Sequence, residues 1–474
     1  MPVLTYNQAK VYGGCILFII LIYILTIVTT DQSLELNSRL ALGFVQGHTY
    51  IAEVPELELF SDPYDPSANY KFRKDKKYFF HDTSYYNGKI YLYYGPVPAL
   101  TFFLPFQGFG LYPRDCTAVL TFVIGAFLFQ ALLFLRLTAR ADCDDLNSQN
   151  PGAWFSLIGL FVLGLNPSTL VLFRKPQVYE VAMAASLFFI SGALWFLTIR
   201  WLFSKNNWLL FLTSLFLILG VGSRITVIIP SAIFFLAATY LLLKEKAKIG
   251  PYLLLFLPFA FGGILLLLYN YARFDSFFEF GINYIISDFH PLRVVAGFPE
   301  GSRLSNFFVL INEYLFNFGE FTSFIPFFYP TKNITPNLIV YEVSIFGILS
   351  CFPVKWSLIL LPYFYNYWKK IGQKMLSHLS LILVVSAILI LGALAKVPLV
   401  TPRYVVNINY FLTLASLLIW GSLLSRLWFQ NVNQNYFDKQ KYIMPLFVIS
   451  SLTSIYFSLC NYYYAAILLF VDKG

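Results

Sequence analysis

The residues best suited to chemistry lie in one polar and aromatic stretch, His81 to Leu100, which ends a loop between two apolar segments. Asp82 stands where this loop returns to apolar sequence, among aromatic residues and next to His81. A carboxylate that is partly removed from water has a raised pKa, which suits a general base. We therefore interpret Asp82 as a candidate base, and His81 as a residue that could orient Asp82 or a substrate.

Asp31 is a competing candidate, because it directly follows the first apolar segment and so is expected near the membrane surface. The simpler interpretation of Asp31 is a helix-end residue that meets water. The remaining carboxylates of the loop are expected to form a solvated surface; they are Glu35, Glu53, Glu56, Glu58, Asp62, Asp65 and Asp75.

The composition places these carboxylates in a polytopic membrane protein. Hydrophobic residues make up 58% of the 474 residues and charged residues only 12%, whereas a soluble domain usually has about a quarter charged residues. Aromatic residues reach 19%, and aromatic side chains favour the boundary between water and lipid. We expect an all-α fold of membrane-spanning helices.

The charge and the cysteines exclude several other classes. The net charge of +9 comes from basic residues spread over loops, a pattern typical of positive cytoplasmic loops rather than of a nucleic-acid surface. The five cysteines are scattered and include no CxxC pair, so we predict neither a cysteine metal site nor a disulfide framework. Carboxylates of the loop could bind a divalent cation, but no ligand spacing identifies one.

Eleven apolar segments are long enough to be candidate spans, since about twenty apolar residues cross a bilayer. They are 13–30, 115–137, 152–173, 178–203, 207–222, 225–243, 250–270, 353–368, 377–397, 405–428 and 442–470. The segment 95–112 is also apolar, but prolines and glycines interrupt it. We predict that 95–112 forms an interfacial or partly dipping helix, with a full crossing as the alternative.

With a cytoplasmic N-terminus, every short inner loop carries at least two basic residues, as the positive-inside rule requires. Arg174 and Lys175 lie in a short outer connection and oppose the rule. This topology predicts a protein of the plasma (inner) membrane with its polar site facing outward. The predicted parts are a tail and first span (1–30), a first outer loop with interfacial helices (31–114), a transmembrane core (115–270), a second outer loop (271–352) and C-terminal spans (353–474).

The same topology brings basic residues to the outer side. Arg224 lies in a tight connection between two apolar runs, and a charge placed there needs a polar cavity or a partner. A guanidinium binds phosphate oxygens with a rigid fork of donors, and a lipid phosphate would lie at this depth. The candidate phosphate ligands are Arg224, Arg273, Lys89, Arg403 and Arg39. The candidate substrate contacts are His81, Tyr85, Tyr86, Asn87, Tyr91, Tyr179 and Glu180.

The order of several short motifs resembles that of the GT-C superfamily of membrane glycosyltransferases, which includes the protein O-mannosyltransferases and the lipid A aminoarabinose transferases. The main match runs from Asp82 through Tyr-Asn-Gly-Lys-x-Tyr to Pro96 and Pro98. The other matches are Asn-Ser-Arg-Leu at 37–40, Gly-Ser-Arg at 222–224, Asn-Tyr-Ala-Arg-Phe at 270–274, Glu-Phe-Gly at 279–281 and Arg-Tyr at 403–404.

This resemblance implies a GT-C-type fold, a polyprenyl-phosphate-linked sugar as donor, and an acidic residue of the first outer loop, Asp82 or Asp31, as base. The chain departs from the pattern at Gln32, where relatives often have a second acidic residue, and at Asn407, where relatives often have Asp. Val97 separates the two prolines that are often adjacent in relatives.

The expected function is therefore transfer of a sugar from a polyprenyl-phosphate-linked donor to a glycan, lipid or protein acceptor, without any nucleic-acid partner. Two alternatives stay open: a transporter or flippase of lipid-linked sugars, and a non-catalytic protein of glycan assembly. Many transporters have internal repeats, and the sequence shows none.

Overall fold

The structure is a computed structural model, and it describes residues 6–28, 35–52, 83–139, 151–286, 302–321, 323, 327–329, 340–341, 346–397, 399–429 and 437–471. Most of this part of the chain is helical. The α-helices are α1 (Tyr6–Thr26), α2 (Leu36–Val45), α3 (Leu104–Gly108), α4 (Asp115–Ala139), α5 (Pro151–Gly164), α6 (Pro167–Arg174), α7 (Val178–Leu202), α8 (Trp208–Ser223), α9 (Ile228–Lys244), α10 (Ile249–Phe274), α11 (Ser302–Phe316), α12 (Leu361–Lys370), α13 (Lys374–Leu394), α14 (Val406–Phe429) and α15 (Phe437–Val471).

Short helical turns of other types join or extend several of these helices. A π-helical turn, Ala99–Phe103, leads into α3, and 3₁₀ turns occupy Ile225–Val227, Ile282–Tyr284, Pro353–Leu360 and Pro402–Val405. The strands are β1 (Thr83–Tyr86), β2 (Lys89–Leu92), β3 (Ile285–Ile286), β4 (Glu320–Phe321), β5 (Phe328–Tyr329), β6 (Val340–Tyr341) and β7 (Leu399–Val400).

Eight helical segments of the described chain are long and apolar enough to cross a membrane, which indicates a multi-pass membrane protein. They are Gln8–Thr26, Asp115–Thr138, Val178–Leu202, Ile225–Lys244, Ile249–Phe274, Lys374–Leu394, Pro402–Leu424 and Tyr442–Tyr463. Two shorter apolar helices, Ala153–Gly164 and Trp208–Ser223, accompany them. The helical class expected from the sequence is confirmed.

Helix α7 is largely buried within the bundle, and phenylalanines pack between it and its neighbours α4 and α8. The ring centroids of Phe122 and Phe188 are 5.8 Å apart, and those of Phe188 and Phe216 are also 5.8 Å apart. Close ring pairs of this kind stabilise beyond the area they bury. By contrast, α10 exposes most of its apolar side chains, as a helix at the periphery facing lipid would.

Two predicted spans have a different internal structure from the one expected. The segment 152–173 is broken between α5 and α6, because Pro167 has no backbone N–H to continue the helical ladder of α5. The segment 353–368 begins as the 3₁₀ turn Pro353–Leu360 and becomes α-helical only at Leu361. The helical part of 95–112 covers only 97–108, about 18 Å at the rise of an α-helix, so it is too short to cross a bilayer.

The described residues also form three small sheets, which the all-α prediction did not include. One sheet has the order β2-β1-β3, and the others pair β4 with β5 and β6 with β7. In the first sheet, Thr83 pairs with Ile286 and Ser84 with Ile285. The first loop is therefore joined by backbone pairing to the segment that follows α10. We call the end of the bundle that carries the hairpin of β1 and β2 the hairpin end.

Candidate functional site: a cluster of arginines and carboxylates at the hairpin end

The hairpin of the first loop has a tight turn at Asn87 and Gly88. Both residues have positive φ angles, 48° and 76°, which two-residue hairpin turns of the Asn-Gly type require. The turn places Tyr85 opposite Ile90, and Ser84 opposite Tyr91. Asn87 thus has a backbone role in the turn, which explains its place in the motif without a substrate contact.

Arg273, near the end of α10, holds the hairpin against the bundle. Its Nη1 donates to the carbonyl oxygen of Leu92 at 2.8 Å, and its Nη2 donates to Asn270 Oδ1 at 2.6 Å. The guanidinium also lies 4.1 Å from the ring of Tyr269 and 4.7 Å from the ring of Phe274. The side chain is buried, so Arg273 supports the hairpin and is not a member of the cluster around Arg224.

The segment after α10 packs along one face of the hairpin. Ser84 Oγ donates to the carbonyl oxygen of Gly281 at 2.9 Å, and Tyr86 Oη donates to Asp275 Oδ2 at 3.2 Å. The rings of Tyr91 and Phe274 are 5.3 Å apart. The motifs at 270–274 and 279–281 therefore serve the same structural purpose, the positioning of the first loop.

Replacing Arg273 with Met is expected to lower the free energy of unfolding by about 1–3 kcal/mol, because the buried acceptors on Leu92 and Asn270 would each lose a donor. Thermal unfolding of the purified protein measures this change. Lys89 is the matched control: it is exposed and lies 4.7 Å from the ring of Tyr50, so Lys89→Met should change stability by about 0.5 kcal/mol or less. Equal effects of the two substitutions would contradict the assigned role of Arg273.

A second contact fixes the hairpin to the end of α8. The backbones of Gly95 and Gly222 approach so closely that a Cβ on Gly95 would lie 1.9 Å from the carbonyl oxygen of Gly222. Only glycine at 95 permits this approach. It places Tyr93 and Tyr94, which precede Gly95, beside Arg224, which follows α8.

Arg224 is a buried guanidinium among aromatic rings. Its Cζ lies 4.9 Å from the centroid of the Tyr404 ring, and Tyr93, Tyr94 and Arg403 are its other charged or phenolic neighbours. Among the described residues, the side chain of Arg224 makes no salt bridge and no hydrogen bond. A buried cation without a counter-charge or hydrogen-bond acceptor destabilises the fold, and a bound anionic ligand would offset this destabilisation.

Arg403 is the second guanidinium of this region. Its Nη1 lies 3.5 Å from Glu180 Oε1, and its Cζ lies 4.3 Å from the centroid of the Tyr179 ring. Glu180 is fixed because it belongs to the capping box at the start of α7, where its Oε2 accepts from the backbone N–H of Gln177 at 3.2 Å. Tyr179 in turn packs edge-on against Tyr94, with centroids 5.6 Å apart.

Two further carboxyl groups, those of Asp115 and Glu35, lie near Glu180 or near each other. Asp115, at the start of α4, is buried, and Glu35 and Asn37 lie beside it. Glu180 is also within electrostatic reach of Asp115. Asp115 Oδ1 and Asn37 Nδ2 are buried without hydrogen-bond partners among the described residues.

Burial raises the pKa of the half-buried Glu35 carboxyl from its ordinary value of 4.5 to about 7. Arg114 and the backbone N–H of Asp115 act in the opposite direction, but burial dominates. A carboxyl group that titrates near neutral pH suits proton transfer. We call Glu35, Asp115, Glu180, Arg224 and Arg403 the Arg–carboxylate cluster.

The structure brings together some of the residues that the sequence suggested and separates others. Arg224, Arg403, Tyr179 and Glu180 lie in or against the cluster. Seven others lie in the hairpin or in its supports: Arg39, Tyr85, Tyr86, Asn87, Lys89, Tyr91 and Arg273. Asp31, His81 and Asp82 lie outside the described residues, so their predicted roles stay predictions.

Sequence reasoning missed several residues of this site. Glu35 was expected to be solvated, Asp115 and Tyr94 were assigned no role, and Tyr404 was noted only as part of the Arg-Tyr motif at 403–404. The available signals were the position of Asp115 directly before a long apolar run, and the position of Tyr404 directly after Arg403. Neither signal indicates that the residue meets Arg224 or Glu35.

The described residues contain no group of three or more His, Cys, Asp and Glu side chains that could hold a metal ion. The Arg–carboxylate cluster has two guanidiniums that could bind an anion, and carboxyl groups that could accept a proton. No protein-family model, curated protein or solved structure matches this chain.

Proposed function

We propose that this protein transfers a sugar from a polyprenyl-phosphate-linked donor to an acceptor, at the membrane surface next to the hairpin end. One observation carries this proposal: the side chain of Arg224 is buried beside Arg403 and has no hydrogen-bond acceptor among the described residues. Arg403 in turn pairs with Glu180, which is within electrostatic reach of Asp115. An anion held by one or two arginines and flanked by a potential base is the arrangement that displacement of a phosphate needs.

In the proposed mechanism, Arg224 and Arg403 bind the donor phosphate and stabilise the charge that develops on it as the glycosidic bond breaks. A carboxylate takes the proton from the acceptor hydroxyl as that oxygen attacks the anomeric carbon. Glu35 is the best-supported base among the described residues. Asp82 and Asp31 are the competing candidates from the sequence.

The proposal includes a GT-C-type architecture of eleven crossings with a cytoplasmic N-terminus and an outward site. Its support is that the eight long helices overlap eight of the eleven segments read from the sequence. The other three crossings would be α5 together with α6, the helix α8, and the segment 353–370. Glu180 lies near the start of α7 and Arg200 near its end, so the two residues would lie on opposite sides of the membrane. Arg200 pairs there with Glu245 at 2.8 Å.

A reconstitution experiment separates the three functions. The purified protein is placed in liposomes that contain a panel of polyprenyl-phosphate hexoses, with acceptor glycans, lipids and peptides outside. A transferase releases free polyprenyl phosphate and labels an acceptor. A flippase moves the intact donor between leaflets, and an assembly factor binds the donor without either change. Absence of sugar release for every donor, in the presence of donor binding, would overturn the enzymatic proposal.

The role of Glu35 predicts a specific pH dependence. Because a base acts in its charged form, transfer should rise with pH through about 7, and Glu35→Gln should lower the rate about 10²–10⁴-fold and remove this limb of the profile. The unfolding free energy should change in the opposite sense. The fold retains a proton on Glu35 that the unfolded chain loses above about pH 4.5, so stability falls as pH rises from about 4.5 to about 7.

Glu245→Gln is the matched control, since Glu245 is a salt-bridged carboxylate near the start of α10, away from the hairpin end. It should leave the pH profile of transfer unchanged. If Glu35→Gln also keeps both the rate and the profile, the base is another carboxylate, and Asp82→Asn is the next variant to assay.

A further inference from the structure

A second polar site lies inside the bundle, apart from the Arg–carboxylate cluster. Lys355, in the 3₁₀ turn Pro353–Leu360, is almost completely buried, with 1% of its surface exposed. Its Nζ donates to Asn409 Oδ1 at 2.5 Å and lies 4.6 Å from the ring of Phe352. Lys355 thus places an amino group in the interior of the bundle.

A small cavity adjoins Lys355, with room for about one water-sized particle. Segments from four parts of the chain line it: α5 and the start of α6, the 3₁₀ turn of Lys355, α14 and α15. Its polar lining consists of Lys355, Asn166, Thr413, Ser454 and Ser458. The lining includes no Asp or Glu side chain, so the lysine has no acidic partner there.

The polar lining of the cavity supplies both hydrogen-bond donors and acceptors. Ser454 and Ser458 donate to carbonyl oxygens within α15. Thr413 Oγ1 accepts from Asn166 Nδ2 at 2.9 Å, which leaves its own hydrogen free to donate elsewhere. An ammonium group has three N–H donors, and Asn409 engages one of those on Lys355.

We propose that Lys355 and Thr413 form a binding site for one small anion of the halide class. Burial of an ammonium group without a counter-charge is strongly unfavourable, and a monatomic anion needs only donors. A water molecule in the same place could bond to the polar lining, but it would leave the charge of the ammonium group unbalanced. The anion would join the 3₁₀ turn to α14 and thus stabilise the contact between these elements.

The test is thermal unfolding of the purified protein while sodium gluconate is replaced stepwise by sodium chloride at constant ionic strength. The expected result is a saturating rise of a few degrees in the midpoint, which bromide reproduces. Lys355→Met should abolish the chloride dependence. Lys370→Met, at an exposed lysine of the neighbouring helix α12, should retain it.

An equal midpoint in chloride and gluconate would overturn the proposal and would indicate a neutral amine that is bonded to water. The same chloride dependence in Lys355→Met would also overturn it. If Lys355→Met does not fold, anomalous scattering from a bromide-soaked crystal of the unaltered protein decides whether a halide occupies the cavity. None of these measurements uses a sugar donor, so their outcome is independent of the proposed transferase activity.

Discussion

Replacing Arg224 with Met is expected to lower sugar transfer by about 10²–10³-fold, the usual effect of removing a group that stabilises developing negative charge. The side chain is buried against Tyr404 and makes no hydrogen bond within the described chain. Its removal therefore breaks no internal polar contact, and the fold should keep its stability or gain some. The decisive result is loss of activity and of donor binding without loss of the unfolding midpoint.

Arg224→Lys refines this result. A lysine retains the charge but not the planar fork that matches phosphate oxygens, so partial activity is expected. Arg136 is the matched control, because its guanidinium lies 4.8 Å from the ring of Phe203 in a similar cation–π contact. Arg136→Met should leave transfer unchanged. Full activity of Arg224→Met would remove the proposed phosphate site.

Replacing Gly95 with Ala is expected to disrupt the site by a different route. The new Cβ would lie 1.9 Å from the carbonyl oxygen of Gly222, and neither partner is a side chain that can rotate away. The backbones must separate, at a cost of about 1–3 kcal/mol or more. The separation would move Tyr94 away from Arg224 and Tyr179, and a shift of about 1 Å in a site can lower a rate about 10²-fold.

Gly108 provides the control for this prediction. A Cβ there would meet no atom within 4 Å, and its φ is not positive. Gly108→Ala should therefore leave both the unfolding midpoint and transfer nearly unchanged. If Gly95→Ala were equally harmless, the close approach of the first loop to α8 would not control the site.

The sequence predicted the helices well, because a run of about twenty apolar residues has few alternatives to a membrane helix. The breaks were harder to predict. Pro167 divides one expected span, but proline also occurs inside helices of this chain, as at Pro258 in α10. The strands of the first loop are short, and their pairing with Ile285 and Ile286 depends on residues far along the chain.

For the site, the sequence by itself determined the residue types: ordered motifs containing Arg224, Arg273 and Arg403 at the ends of apolar segments. Only the tertiary structure decided which of these arginines share a site. Arg273 has backbone and amide acceptors at the hairpin, whereas Arg224 lies near Arg403 among tyrosines, and Arg403 pairs with Glu180. The physical reason is that a charge at a helix end is satisfied by whatever the fold places next to it. Contacts such as those of Gly95 with Gly222, or of Glu35 with Asp115, join segments that no local pattern connects.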